Sequence, residues 1–261
     1  MVEYFYEMLL KKVLPLLLFT LFTAQVMAQA DIRNFRDEQF SSERVKTAWK
    51  KYGDTLKIVL SKQGVAWPTC SVFLRAFKSQ NDLELWARNN SSEEYRHIKT
   101  YRICAISGSL GPKRQQGDKQ VPEGFYFIDD FNPHSEYHLS LEINYPNYSD
   151  QAQTKGGRPG GNIFIHGGCL TVGCLPMGDD GISELYTACL GAKLNGQEHI
   201  PVHIFPTRMT EKGVSYLKNA YPENSERQQF WATLKSGFDY FEQNHQIPPV
   251  LYGADGKYLN Q

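Results

Sequence analysis

Asn162-Ile-Phe-Ile-His166-Gly-Gly-Cys169-Leu-Thr171-Val-Gly-Cys174-Leu-Pro-Met177 is a short β-branched and aromatic run that breaks into a glycine-rich turn carrying one histidine and two cysteines. Ile163 to Ile165 reads as a strand, and the glycines after it let the chain reverse tightly enough to return Cys174 to His166. A thiol at the ordinary cysteine pKa of ~8.5 is mostly protonated at neutral pH, so a nucleophilic cysteine needs a base within hydrogen-bond reach. The His166 imidazole is placed to take that proton and to return it to a leaving amine. No carboxylate lies nearby in the sequence, so the Gly167 carbonyl is the group available to orient the ring. Gly173 and Cys174 would turn their amides towards a developing oxyanion.

Working outward from this turn, Asp179 and Asp180 stand where negative charge favours a helix N-terminus, and Ile182, Leu185, Tyr186, Cys189 and Leu190 keep helical spacing. Val202 to Phe205 reads as a strand, and Phe230, Leu234, Phe238 and Phe241 as an amphipathic helix. Upstream, His138 to Tyr145 alternates, with Leu139, Leu141, Ile143 and Tyr145 on one face and His138, Ser140, Glu142 and Asn144 on the other. A polar loop from Asn147 to Gly161, carrying Lys155 and Arg158, separates that strand from the turn. Phe125 to Asp129 also alternates, after a loop from Gly108 to Gly117 with Lys113 and Arg114.

Between Ser71 and Ile106 the period is two: Val72, Leu74, Ala76, then Leu83, Leu85, Ala87, then Tyr101, Ile103, Ala105. Ser79-Gln-Asn-Asp82 joins the first two runs as a hairpin turn, opening an antiparallel sheet. Ser41 to Gly64 has helical spacing interrupted at Gly53, which predicts two helices or one broken helix, ended by Trp67-Pro68. The fold class that follows is mainly β with peripheral helices, an α+β arrangement.

The chain has 261 residues, 41% hydrophobic and 21% charged, with a formal net charge of zero. That balance is ordinary for a globular protein and advertises no nucleic-acid surface. Lys11 and Lys12 precede an apolar run from Val13 to Phe22, and small residues at Ala28 and Ala30 follow, which reads as a secretory signal over residues 1–30 rather than a membrane anchor. An exported chain with five cysteines, Cys70, Cys104, Cys169, Cys174 and Cys189, has an odd count, so at least one thiol is buried and inert or reactive for a reason. Cys70, Cys104 and Cys189 fall on apolar faces and read as core residues or a disulfide pair; Cys169 reads as a structural or auxiliary thiol, with a second nucleophile as the competing reading.

Ile165-His166-Gly167 followed by Thr171-Val172-Gly173-Cys174 resembles the active-site signature of L,D-transpeptidases of the YkuD type, and is closest to the YafK-like branch, where a second cysteine lies within a short His-to-Cys interval. Further similar phrases occur in the same order: Phe73-Leu-Arg75-Ala-Phe77-Lys78, Ser107-Gly-Ser-Leu-Gly-Pro112, Gly117-Asp118, Pro122-Glu-Gly-Phe-Tyr126, Tyr137-His138-Leu-Ser-Leu141 and Tyr145-Pro-Asn147. The resemblance implies an L,D-transpeptidase-like β-sandwich with helical N- and C-terminal flanks: a flank at 31–68, a catalytic domain at 69–208 and an extension at 209–261. It implies that Cys174 is acylated by the carbonyl at the L centre of the third residue of a peptidoglycan stem peptide, with His166 as base and Gly167 as its orienting carbonyl. Arg158, His138, Thr171 and Tyr145 become candidate substrate contacts. No cofactor or metal is implied. Partners are peptidoglycan stem peptides, a wall-anchored protein lysine as one acceptor, and carbapenem-type acylating inhibitors, in an exported, periplasmic or cell-envelope setting.

Val172 stands where the common signature has a second histidine, and Leu175-Pro-Met177 where an arginine often lies, so transfer to an amine and hydrolysis by water both remain open. Other readings are a zinc site built from His166, Cys169, Cys174 and Cys189, whose spacing is irregular for such a site, and a non-catalytic wall-binding module. His199 and His203 follow Cys174, so a cysteine-first order with a later histidine is a formal alternative that ranks below His166.

Overall fold

The computed structural model describes residues 29–68, 71–154, 156–222 and 225–259. The expected signal peptide falls almost wholly outside the described residues, as do Cys70 and Lys155. The chain divides into two units, Met1–Ser42 and Glu43–Gln261. In the first, residues 29–39 form a helix, α1. Among the described residues no helix is long and apolar enough to cross a membrane.

The second unit begins with α2 (Glu43–Lys62), which buries Val45, Ala48, Tyr52, Leu56 and Leu60. These positions keep a three-to-four-residue stride straight across Gly53, so the helix runs on where a break was expected. A Cβ at Gly53 would touch nothing. Glycine there costs about 1 kcal/mol of helix propensity, which the continuous buried stripe offsets.

Eight strands follow among the described residues: β1 (Ser71–Phe77), β2 (Asp82–Arg88), β3 (Arg96–Arg102), β4 (Gly124–Asn132), β5 (Ser140–Ile143), β6 (Phe164–His166), β7 (Leu175–Pro176) and β8 (Ile200–Phe205). They form one sheet in the order β3-β2-β1-β8-β4-β5-β6-β7. The hairpin is present: Phe77 pairs with Asp82 across a 3-10 turn at Lys78–Gln80, and Asn81 takes a φ of 54°. The sheet is mixed, because β8 returns parallel to β1 and β7 runs parallel to β6. Between the strands lie α3 (Tyr148–Ala152) and α4 (Gly178–Leu194); α5 (Glu211–Ala220) and α6 (Ser225–Asn244) follow β8. The α+β class with helical flanks is therefore what folds.

Two strand readings shift. Tyr101 ends near the edge of β3, and beyond it the amides of Ile103 and Cys104 leave β2 to bond the carbonyls of Asn81 and Pro176. His138 precedes β5 with a φ of 71° and so breaks the alternation assigned to it; Leu139, Leu141, Ile143 and Tyr145 are all buried as expected.

Helices cover both faces of the sheet centre, which is why β1 is buried along six consecutive residues and not at every second one. Phe77 of β1, Phe125 of β4 and Phe205 of β8 pack with Trp231, Leu234 and Phe238 of α6. On the other side α4 lies between α2 and the strands β1, β5 and β6, buried continuously from Ile182 to Ala192.

A fully buried ion pair fixes the loop between β3 and β4. Lys78 Nζ lies 2.9 Å from Glu123 Oε1, both side chains 0% exposed. The same ammonium donates to the carbonyls of Ser109, Gly111 and Val121 at 3.1, 3.1 and 2.8 Å. Glu123 also accepts from the Gly111 amide and from Trp231 Nε1, each at 2.7 Å. Burial pushes the Lys78 pKa down, while Glu123 opposes the shift.

Candidate active site

The parallel β6–β7 pair aligns Ile165 with Leu175 and His166 with Pro176. Cys174 therefore enters the ladder beside Phe164, and strand alternation sends the side chains of Cys174 and His166 to the same face. The Met177 amide closes the turn on the His166 carbonyl at 2.8 Å.

His166 is 2% exposed. Its Nδ1 donates to the Gly167 carbonyl at 2.6 Å, which leaves Nε2 as the lone-pair nitrogen, the tautomer a general base requires. Tyr137 lies against the imidazole with ring centroids 4.7 Å apart. Burial lowers the imidazole pKa, and the Gly167 hydrogen bond partly restores it. Gly167 is itself hemmed in. Its amide donates to the carbonyls of Tyr137 and Leu139 at 3.0 and 3.2 Å, and a Cβ there would overlap the Tyr137 carbonyl oxygen and lie 2.7 Å from Asp179 Oδ1.

Cys174 is a half-buried free thiol. Its Sγ accepts the Phe164 amide at 3.4 Å and donates to the Asn162 carbonyl at 3.8 Å. Burial raises the thiol pKa, with the Phe164 amide acting against it. Both shifts favour the neutral pair at rest, a thiol and an imidazole rather than a preformed thiolate and imidazolium. The thiol hydrogen goes to the Asn162 carbonyl and not to the imidazole, so proton transfer requires the thiol to exchange that acceptor for His166 Nε2.

The two amides expected to face an oxyanion are already donating. Gly173, at a φ of 91°, gives its N–H to Ser107 Oγ at 2.7 Å. Cys174 gives its N–H to Thr171 Oγ1 at 3.1 Å, and that hydroxyl donates in turn to the Cys174 carbonyl at 2.9 Å. Buried amides need partners, and two hydroxyls supply them.

The remaining candidates scatter. His138 Nε2 lies 2.9 Å from Ser183 Oγ on α4, and Ser183 donates to the Asp179 carbonyl. Tyr145 donates to the Pro159 and Lys113 carbonyls at 3.0 and 3.3 Å, tying the 147–161 loop to the 108–117 loop. Arg158 is exposed. Lys113 and Arg114 are committed to Asp118 and Asp150 at 2.5 and 2.7 Å. Asp150 is buried, and desolvation raises its pKa to about 6 against the pull of Arg114. His203 sits in the core between Phe73 and Phe125, where burial pushes its pKa down to about 3.

Several site residues escaped the sequence reading in these roles: Ser107, Asn162, Tyr137, and Asp179, whose Oδ1 accepts the Gly168 amide at 2.8 Å. Ser107 and Tyr137 did stand in the quoted phrases, but nothing local says that they reach the turn. Cys169 is bonded to Cys104, with Cα atoms 5.4 Å apart and 65 residues between them in sequence. This rules out Cys169 as a free second nucleophile and ties the turn to the segment after β3. Cys189 is fully buried on α4 and its thiol pKa is strongly raised. The four residues considered for zinc are not brought together as ligands, and no group of three or more metal-binding side chains occurs among the described residues.

Known proteins are similar to this chain over most of its length. Residues 75–204 match the YkuD family model, the L,D-transpeptidase catalytic domain. Two Escherichia coli relatives, from strain K12 and from O157:H7, each provisionally named L,D-transpeptidase YafK, are 37% identical over 190 residues, covering 72% of this chain and 73% of theirs. Among solved structures, the helical cell shape determining protein Pgp2 from Campylobacter jejuni is similar over 70% of this chain and 73% of its own, at 19% identity and a TM-score of 0.43. Bdellovibrio bacteriovorus Bd1075 is similar over 67% of this chain and 56% of its own, at 21% identity and a TM-score of 0.38. The matched span runs from β1 to β8 and contains both His166 and Cys174; the chain belongs to the L,D-transpeptidase catalytic domain family.

Proposed function

We propose that the protein is an exported peptidoglycan L,D-transpeptidase working through a Cys174 thioester. The Cys174 sulphur attacks the carbonyl at the L centre of the third stem-peptide residue as its proton passes to His166 Nε2. The tetrahedral intermediate collapses with cleavage of the C–N bond, and His166 returns the proton to the departing amine. An acceptor amine, from a second stem peptide or a protein lysine, then attacks the thioester and regenerates the thiol. An incoming carbonyl oxygen takes over the Gly173 and Cys174 amides from the Ser107 and Thr171 hydroxyls.

The observation that carries this reading is the His166 tautomer. With Nδ1–H spent on the Gly167 carbonyl, Nε2 is an acceptor on the strand beside the one that Cys174 directly precedes. Val172, 68% exposed, puts an apolar side chain on the rim of the turn where the common signature places an imidazole.

The test is muropeptide mass spectrometry with wild type and Cys174→Ala side by side, together with intact-mass analysis after carbapenem treatment. The expected results are a new amide cross-link and a single adduct, both absent from Cys174→Ala. Shortened stem peptides with no new amide would replace the transferase with a hydrolase that resolves the same thioester with water. Full cell-wall activity in Cys174→Ala would remove the enzyme reading altogether.

A further inference from the structure

A cleft of about 750 Å³ opens between the 108–120 loop, α3 and α6. Neither Cys174 nor His166 lines it, yet it shares a wall with the catalytic turn. Gln120 faces the cleft, and its carbonyl oxygen would lie 3.1 Å from a Cβ at Gly173. Ser107, which holds the Gly173 amide, directly precedes the lining residue Gly108.

The chemistry of the lining selects a ligand class. Most of its charges are matched within the protein: Arg114 by Asp150, Asp118 by Lys113, and Lys257 by Asp255. Amide and hydroxyl groups are left over. Gln115 and Gln229 line the cleft exposed, with side chains that have no partner among the described residues, and Ser149 lines it too while only 1% exposed. Beside them is the half-buried ring of Phe230, with the Arg114 guanidinium 5.2 Å from its centroid. Carboxamides that both donate and accept, set next to an aromatic ring, suit a neutral ligand rich in hydroxyl and acetamido groups. A charged peptide would need unmatched charge that this lining largely withholds.

We propose that the cleft is a subsite for the N-acetylated glycan whose stem peptide reaches Cys174; the assignment rests on the peptidoglycan reading given above. Three extended residues separate the scissile carbonyl from the sugar, about 10 Å of chain at ~3.3–3.6 Å per residue, and the Gln120 backbone that borders the cleft is also the backbone that packs against Gly173.

The experiment titrates the full chain carrying Cys174→Ala, by calorimetry, with the N-acetylglucosaminyl-N-acetylmuramyl disaccharide that lacks a stem peptide and has its lactyl carboxyl capped as an amide. Saturable binding is expected, weakened about tenfold by adding either Gln229→Ala or Phe230→Leu in chains with unchanged melting temperature. No saturable binding, or binding untouched by both substitutions, overturns the assignment. Competition from a sugar-free tetrapeptide for the same site also overturns it and gives the cleft to peptide. Muropeptide turnover by wild type is read separately: turnover without disaccharide binding sinks the cleft assignment alone, and disaccharide binding without turnover sinks the acyl-transfer reading alone.

Discussion

Lys78→Met is the substitution that most directly tests how the catalytic turn is supported. The change removes an ammonium that satisfies Glu123 and three backbone carbonyls in a site with no solvent exposure. Methionine fills a similar volume, so the cost is electrostatic: Glu123 is left charged and buried without its partner. Breaking such a pair costs about 3–5 kcal/mol. For a unit of this size 1 kcal/mol moves the melting temperature by about 2–4 °C, so a 4 kcal/mol loss corresponds to a fall of about 8–16 °C. The assay is urea and thermal unfolding at pH 7, with Glu123→Gln and the double variant completing a cycle. Glu123→Gln keeps one acceptor oxygen, enough for either the Gly111 amide on Oε1 or Trp231 Nε1 on Oε2 but not for both, and in the Lys78→Met background it should still recover part of the loss by removing the orphaned charge. A Lys78→Met cost below about 1 kcal/mol would refute the reasoning, because values that small belong to exposed pairs. Strictly additive effects in the cycle would refute it as well.

Three other outcomes are expected. Burial depresses the His166 pKa and the neutral ring is the active form, so kcat/KM should hold as pH falls through the ordinary imidazole value of ~6.5 and decline only below it; Tyr137→Ala, which wets the ring, should move that acid limb upward, and a wild-type limb above 6.5 contradicts the assignment. Gly167→Ala forces a Cβ into the Tyr137 carbonyl and should cost about 1–3 kcal/mol in chemical unfolding and about a hundredfold in kcat/KM through displacement of the base; wild-type kinetics would show that the carbonyl does not orient the ring. Cys104→Ser removes a crosslink spanning 65 residues and should cost about 4 kcal/mol by loop-closure entropy, while Cys174 still forms a carbapenem adduct; loss of that adduct in folded Cys104→Ser protein would make the disulfide part of the site.

The hairpin of β1 and β2, the extended runs of β4 and β5 and the apolar spacing of α4 and α6 were legible because each is local, but the period did not state which face is buried: β1 is buried along six consecutive residues, Phe125 and Tyr126 of β4 are both buried, and so is Ser140 on the polar side of β5. The His166-Gly167 and Gly173-Cys174 phrases were legible for the same reason, since the turn that joins them is short. What failed also has a local cause. Gly53 carries a break signal that the buried stripe of α2 overrides, and His138 fits an alternating pattern that its backbone does not follow.

The partners of the turn come from far away in sequence, and no periodicity encodes them. Ser107 reaches Gly173 across 66 residues, Cys104 reaches Cys169 across 65, and Lys78 finds Glu123 only because β1 and the approach to β4 flank the same loop. The amino-acid sequence by itself specified a strand, a tight turn, a histidine and a thiol, together with the family that carries them. The tertiary structure decided which nitrogen of His166 is free, which hydroxyls hold the two amides and which of the two cysteines in the turn remains a thiol. Those choices follow from burial. Once the sheet closes and water is excluded, each polar group in the turn must take whichever partner the fold brings within about 3 Å.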